Sequence, residues 1–177
     1  MHPRIQELLD YLDAQHVALR EAVDSVPAAR RNESPDPEQW STAGVLEHLA
    51  IVETNIGRLL KDRIATARAS GVGQESDTSS VLATFSPQSV ILDRARRITA
   101  SPGAHPKQNL SWESALEAFD GARRELRNTL ISADGLALGT VTHPHPVFGP
   151  LDLYHWIAFV GGHEARHAGQ IRAAGEA

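Results

Sequence analysis

Four stretches of this chain repeat their apolar residues at helical spacing, and none alternates over the several residues that a half-buried strand requires. The first runs from about Arg4 to Val26, with Ile5, Leu8, Leu9, Leu12, Leu19, Val23 and Val26 on one face, and Pro27 stops it. The second starts near Trp40, with Ser41 or Thr42 as cap, and carries Val45, Leu49, Val52, Ile56, Leu59 and Leu60 to about Ala69. The third begins at Ser111 and carries Trp112, Leu116, Phe119, Leu126 and Leu130. The fourth follows Gly149-Pro150, with proline in its first turn, and carries Leu153, Trp156, Val160 and Ile171 to the C-terminus. Such a chain is predicted to be a single all-α domain over residues 1–177, a four-helix bundle. Roughly forty residues separate the second and third helices, far beyond an ordinary helix connection, so this segment is a crossover. Its start, SGVGQESDTSS, is loop-like; its middle, PQSVILDRARRITA, suits a short helix.

Composition narrows the function. The 177 residues include no cysteine, which excludes disulfides, thiolate ligands and a cysteine nucleophile. A net charge of -5 without a clustered basic patch argues against nucleic-acid binding. No apolar run approaches the ~20 residues of a membrane helix, and the amphipathic N-terminus has no signal-peptide core, so a cytoplasmic protein is expected. Nine histidines in a chain with one methionine are the conspicuous excess.

His163 and His167, spaced i, i+4, fall in the middle of the fourth apolar stripe, where both rings can reach one ion. Burying two unpaired imidazoles is unfavourable, and a metal ion removes that cost. His48, on the inward side of the second helix, offers a third nitrogen. Three histidine ligands leave positions open for exchangeable ligands, whereas a closed structural zinc site uses four protein ligands. His16 sits among Leu12, Leu19 and Val23 as a fourth ligand, a base or a satisfied core residue. His143 and His145 alternate with prolines and either line the mouth of the site or, as the simpler reading, sit in a solvated loop; His155 reads as surface or, at most, as a support behind the ligands, His2 and His105 as solvent. Arg123, mid-stripe on the third helix, either holds a substrate carboxylate or pairs with an acidic side chain. Gln170, near His167, is a candidate donor behind the ligands, and Gly161-Gly162 suggests close approach of a neighbour.

The run His163-Glu164-Ala165-Arg166-His167 also matches the H-E-x-x-H of zinc proteases, in which the glutamate is the general base. Here only AGQIRAAGEA follows, the downstream histidine of the extended motif is absent, and Glu176 is almost terminal. Glu164 points to the side of the histidine sector, towards a ligand or solvent. The protease reading is therefore disfavoured.

Four segments together resemble the DinB/YfiT-like family of metal-binding four-helix bundles: WSTAGVLEHL at 40–49, the SW-x2-A-x3-F-x3-R-x2-L run from Ser111, HPVFGPL, and HWIAFVGGHEARHAGQI. The resemblance covers nearly the whole chain. It implies an up-down-down-up bundle, a homodimer, and a divalent metal, zinc or nickel, on His48, His163 and His167. It also implies a small-molecule substrate and, in members with assigned activity, a low-molecular-weight thiol. A thiol-dependent transferase would use the ion to lower a thiol pKa, with Arg123, His16 and Glu164 as candidate catalytic groups. A hydrolase would apply the same ligands to water, and a stress-related protein would bind metal without catalysis.

Overall fold

The computed structural model describes residues 1–96 and 99–175; Arg97, Ile98, Glu176 and Ala177 lie outside the described residues. The chain is a four-helix bundle of α1 (Pro3–Asp24), α2 (Thr42–Ala69), α4 (Trp112–Ser132) and α5 (Leu153–Gly175), with a short α3 (Gln88–Leu92) inside the crossover. The expected caps operate: Ser41 Oγ accepts from Gly44 N–H at 3.0 Å, and Ser111 Oγ from Ser114 N–H at 3.3 Å.

Helices α1 and α5 run in the same sense, with Arg4 beside Tyr154 at one end and Val26 against Gly175 at the other. So do α2 and α4. Arg31, whose carbonyl accepts from Ala43 N–H, stacks over Trp112 where both begin, and Arg68 reaches the Ser132 carbonyl where they end. Between the pairs the sense reverses, since Asp13 and Arg20 of α1 meet Arg127 and Asp120 of α4 in descending order. The order is up, down, down, up, and the crossover exists because α2 and α4 are parallel. A Cβ at Gly161 would fall inside the ring of Tyr11, which explains the glycine where α5 meets α1.

The core is divided. Leu8, Leu12, Ile56, Leu60, Leu126 and Ile157 belong to one apolar cluster, and Leu19, Leu46, Leu49, Phe119, Ala168 and Ile171 to another. One residue from each long helix lies between them: His16, Glu53, Arg123 and Glu164.

The expectation of no strand fails at one place. Thr142–His145 (β1) and Gly149–Asp152 (β2) form an antiparallel hairpin, with Pro144 opposite Pro150. Proline-rich segments mask strand periodicity, and a two-stranded ribbon tolerates prolines that an interior strand would not. Consequently Pro150 belongs to the hairpin rather than to the first turn of the last helix. That helix starts at Leu153, where Asp152 Oδ1 accepts from His155 N–H at 2.9 Å. Among the described residues, no helix is long and apolar enough to cross a membrane.

Candidate metal centre

His48 stands in the second turn of α2, and His163 and His167 on one face of α5; the antiparallel approach of these helices brings the three rings together. His163 Nε2 lies 3.3 Å from His48 Nε2 and 3.1 Å from His167 Nε2, and all three ligand atoms fall within 4.8 Å of one another. Metal–nitrogen bonds of about 2.1 Å separate neighbouring ligand atoms by roughly 3.0–3.4 Å at right-angled to tetrahedral geometry. The two spacings from His163 fit.

The outer nitrogens sharpen the argument. His48 Nδ1 is 2.6 Å from the Ala104 carbonyl, and His167 Nδ1 is 2.8 Å from Gln170 Oε1. Both partners are acceptors, so each ring keeps its proton on Nδ1 and turns a bare Nε2 lone pair inward. His163 can offer its single Nε2 proton to only one of them. The trio thus lacks a donor, an arrangement that a bound cation could satisfy. Burial, then the neighbouring imidazoles, holds His163 well below its ordinary value; burial likewise lowers His48 and takes His167 to about 3. All three are neutral imidazoles at pH 7, the form in which a histidine can hold a metal.

Above the trio opens a cavity of about 120 Å³, walled chiefly by Trp40, Ile91, Phe148 and Phe159. Phe159 stacks on His163 at 5.5 Å between ring centroids, and Trp40 lies 4.8 Å from His48. The crossover forms part of the wall and is tied down. Arg166 donates to the carbonyls of Ile91 (2.9 Å), Asp93 (2.7 Å) and Arg96 (2.7 Å). Buried Glu47 accepts from Lys107 N–H at 3.0 Å and Gln108 N–H at 2.9 Å, next to the turn that supplies the Ala104 carbonyl.

The other candidates are not at this cavity. Arg123 is buried, its Nε and Nη2 donating to Glu53 at 2.6 and 3.0 Å, its Nη2 to Glu164 at 2.7 Å and its Nη1 to the Leu12 carbonyl at 2.8 Å. It pairs with acidic side chains, the second of the two roles its stripe position allows. Glu164, neither facing solvent nor lining the cavity, belongs to this network, where burial raises it to about 7 against the pull of Arg123. His16 joins the same layer, 3.1 Å from Asp120 and 3.7 Å from Glu164 Oε1.

Of the two places the sequence leaves open for His145, the mouth of the site and a solvated loop, the structure takes the first. His145 is buried on β1 and lines the cavity, while its neighbour His143 is half-buried against Trp156. Glu47, Arg166 and the Ala104 carbonyl carried no usable signal, because each acts on a crossover segment distant in sequence. His155 is half-buried, paired with Asp152 at 2.8 Å and 3.2 Å from Thr84.

Comparison with known proteins agrees with this architecture. The uncharacterized protein YuaE of Bacillus subtilis (strain 168) is 28% identical over 142 residues, covering 80% of each chain. The crystal structure of TT2238, a four-helix bundle protein, superposes with a TM-score of 0.64 at 24% identity, over 96% of this chain and 98% of that one. That likeness concerns the fold alone. The sequence profile of the DinB superfamily matches residues 11–171, and with a bundle that gathers histidines from α2 and α5 across such a span, the chain belongs to the DinB superfamily.

Proposed function

We propose that this protein is a metal-dependent enzyme acting on a small, largely apolar molecule, with zinc or nickel on His48, His163 and His167. The carrying observation is that three inward Nε2 atoms and, among the described residues, no fourth protein ligand converge beneath an aromatic cavity. Three ligands leave coordination positions for exchange. The favoured reaction is transfer of a low-molecular-weight thiol to an electrophile. A divalent ion bound there supplies Lewis acidity, lowering the pKa of a coordinated thiol or water.

The chain supplies the rest. Ala104 and Gln170 orient two of the imidazoles through their outer nitrogens. Trp40, Phe148 and Phe159 exclude water from the reacting atoms and favour an apolar electrophile. Arg166 holds the crossover over the cavity without a carboxylate among its hydrogen-bond acceptors.

The test is metal analysis of protein purified without a histidine tag, beside His48→Ala and His163→Ala variants, followed by thiol–electrophile and ester screens on loaded protein. Near-stoichiometric metal, absent from both variants, with thiol transfer supports the reading. Ester hydrolysis alone favours the hydrolase, and metal without turnover favours the non-catalytic binder. Wild type that takes up neither Zn²⁺ nor Ni²⁺ removes the proposal.

A further inference from the structure

His145 is buried, yet it belongs to no ion pair and to neither apolar cluster. Its ring packs against Phe159, Trp156 and Phe148, with centroids 4.5, 4.8 and 4.9 Å away. Its Nδ1 accepts two backbone hydrogen bonds across the hairpin turn, from Val147 N–H at 3.1 Å and Phe148 N–H at 3.3 Å. Two donors on Nδ1 fix the tautomer: the ring proton must sit on Nε2. Burial lowers this histidine to about 4, so it remains neutral at physiological pH.

Nε2–H has no partner among the described residues, and it is not one of the fully enclosed orphan atoms of the chain. The residue borders the cavity above the three histidines. Among the described residues, apart from those histidines and Arg166, the other side chains lining that cavity are apolar or aromatic, and none is a carboxylate. The cavity therefore contains donors and no side-chain acceptor beyond the metal-facing nitrogens.

We propose that His145 orients the ligand, donating its Nε2–H to an acceptor atom on a small apolar molecule bound beside the three histidines. The ligand class is accordingly an apolar body bearing a carbonyl, ether or carboxylate oxygen. This rests on reading the cavity as the substrate site, but the tautomer is independent of any metal.

Two substitutions separate turn from ligand. His145→Asn keeps an acceptor for the turn amides, in the manner of an Asx turn, and loses the distal donor. His145→Gln keeps a distal N–H and gives up the turn acceptor.

In ¹⁵N-histidine-labelled, metal-free protein, the resonance lost in His145→Asn should show a proton on Nε2 and a bare Nδ1. A proton on Nδ1 overturns the proposal. In Co²⁺-loaded protein, the charge-transfer band then reports binding of methyl mercaptoacetate, which has a carbonyl acceptor, and of 1-butanethiol, which has none. Wild type should prefer the ester by about tenfold more than His145→Asn does, with His145→Gln recovering part of the difference. An equal preference in wild type and His145→Asn overturns the proposal. If Co²⁺ binds and neither thiol does, the thiol reading of the protein fails instead, and the nitrogen spectra alone decide the fate of the His145 donor.

Discussion

The bundle carries two polar clusters that differ in one respect. In the layer dividing the core, the Arg123 guanidinium spends its donors on Glu53, Glu164 and the Leu12 carbonyl. Under the crossover, three imidazoles face one another with too few protons to satisfy their lone pairs. The first cluster sets a guanidinium among carboxylates, although Glu164 Oε1, Asp120 Oδ1 and His16 Nδ1 find no hydrogen-bond partner there; the second repeats one kind of acceptor. Both are buried and both perturb pKa values, so burial and perturbation do not separate structure from function here. A resident counter-ion, present in the first and lacking among the three imidazoles, does.

The largest way to break this contrast is Arg123→Met. It leaves two buried carboxylates without a counter-ion, and we expect a loss of about 3–5 kcal/mol in urea unfolding followed by circular dichroism. A loss below ~1 kcal/mol would contradict a core held by this network. At the other cluster the effect should come from outside the chain. With Zn²⁺ at a thousandfold over its dissociation constant, wild type should gain about 4 kcal/mol, and His163→Ala nothing. Without metal, that variant should stay within roughly 1 kcal/mol of wild type, because the removed ring had no full set of partners. Thermal melts with and without Zn²⁺ read both numbers.

Gln170→Leu sharpens the comparison at intermediate size. Freeing the His167 ring from its outer partner should weaken metal affinity about tenfold or more, by competition with a chromophoric chelator, and leave the fold intact.

Acidity separates the clusters by sign. His48, His163 and His167 titrate lower in the folded chain than their ordinary value of 6.5, so as pH falls the unfolded chain takes up protons first. Stability of the chelated protein is full above about pH 6.5 and is lost on acidification from there. Glu164 is raised from 4.5 to about 7, so its contribution is full below pH 4.5 and is lost as pH rises through 7. Glu164→Gln is the smallest change: within about 1 kcal/mol of wild type at pH 7, it should shrink the alkaline loss to the part due to Glu53, which burial also raises, and spare the acidic one. Urea midpoints from pH 4 to 9 measure this, and an alkaline limb unchanged in the variant would contradict the assignment.

Periodicity alone determined that the chain makes four helices, and the residue count between the second and third required a crossover. It also placed His48, His163 and His167 on inward faces, since i, i+4 spacing and flanking apolar residues are local properties of a helix. The same pattern put His16 and Arg123 near the core and Glu164 at the side of its stripe, but was silent on depth along the bundle axis. Which side chains share a layer depends on how far each helix slides against its neighbours. Only the tertiary structure decided that Glu53, distant from both in sequence, would join Arg123 and Glu164 in one buried network. His145 shows the limit most clearly. Prolines on either side hide its strand from any periodic reading, and its burial arises from three aromatic rings brought over it by the hairpin and α5.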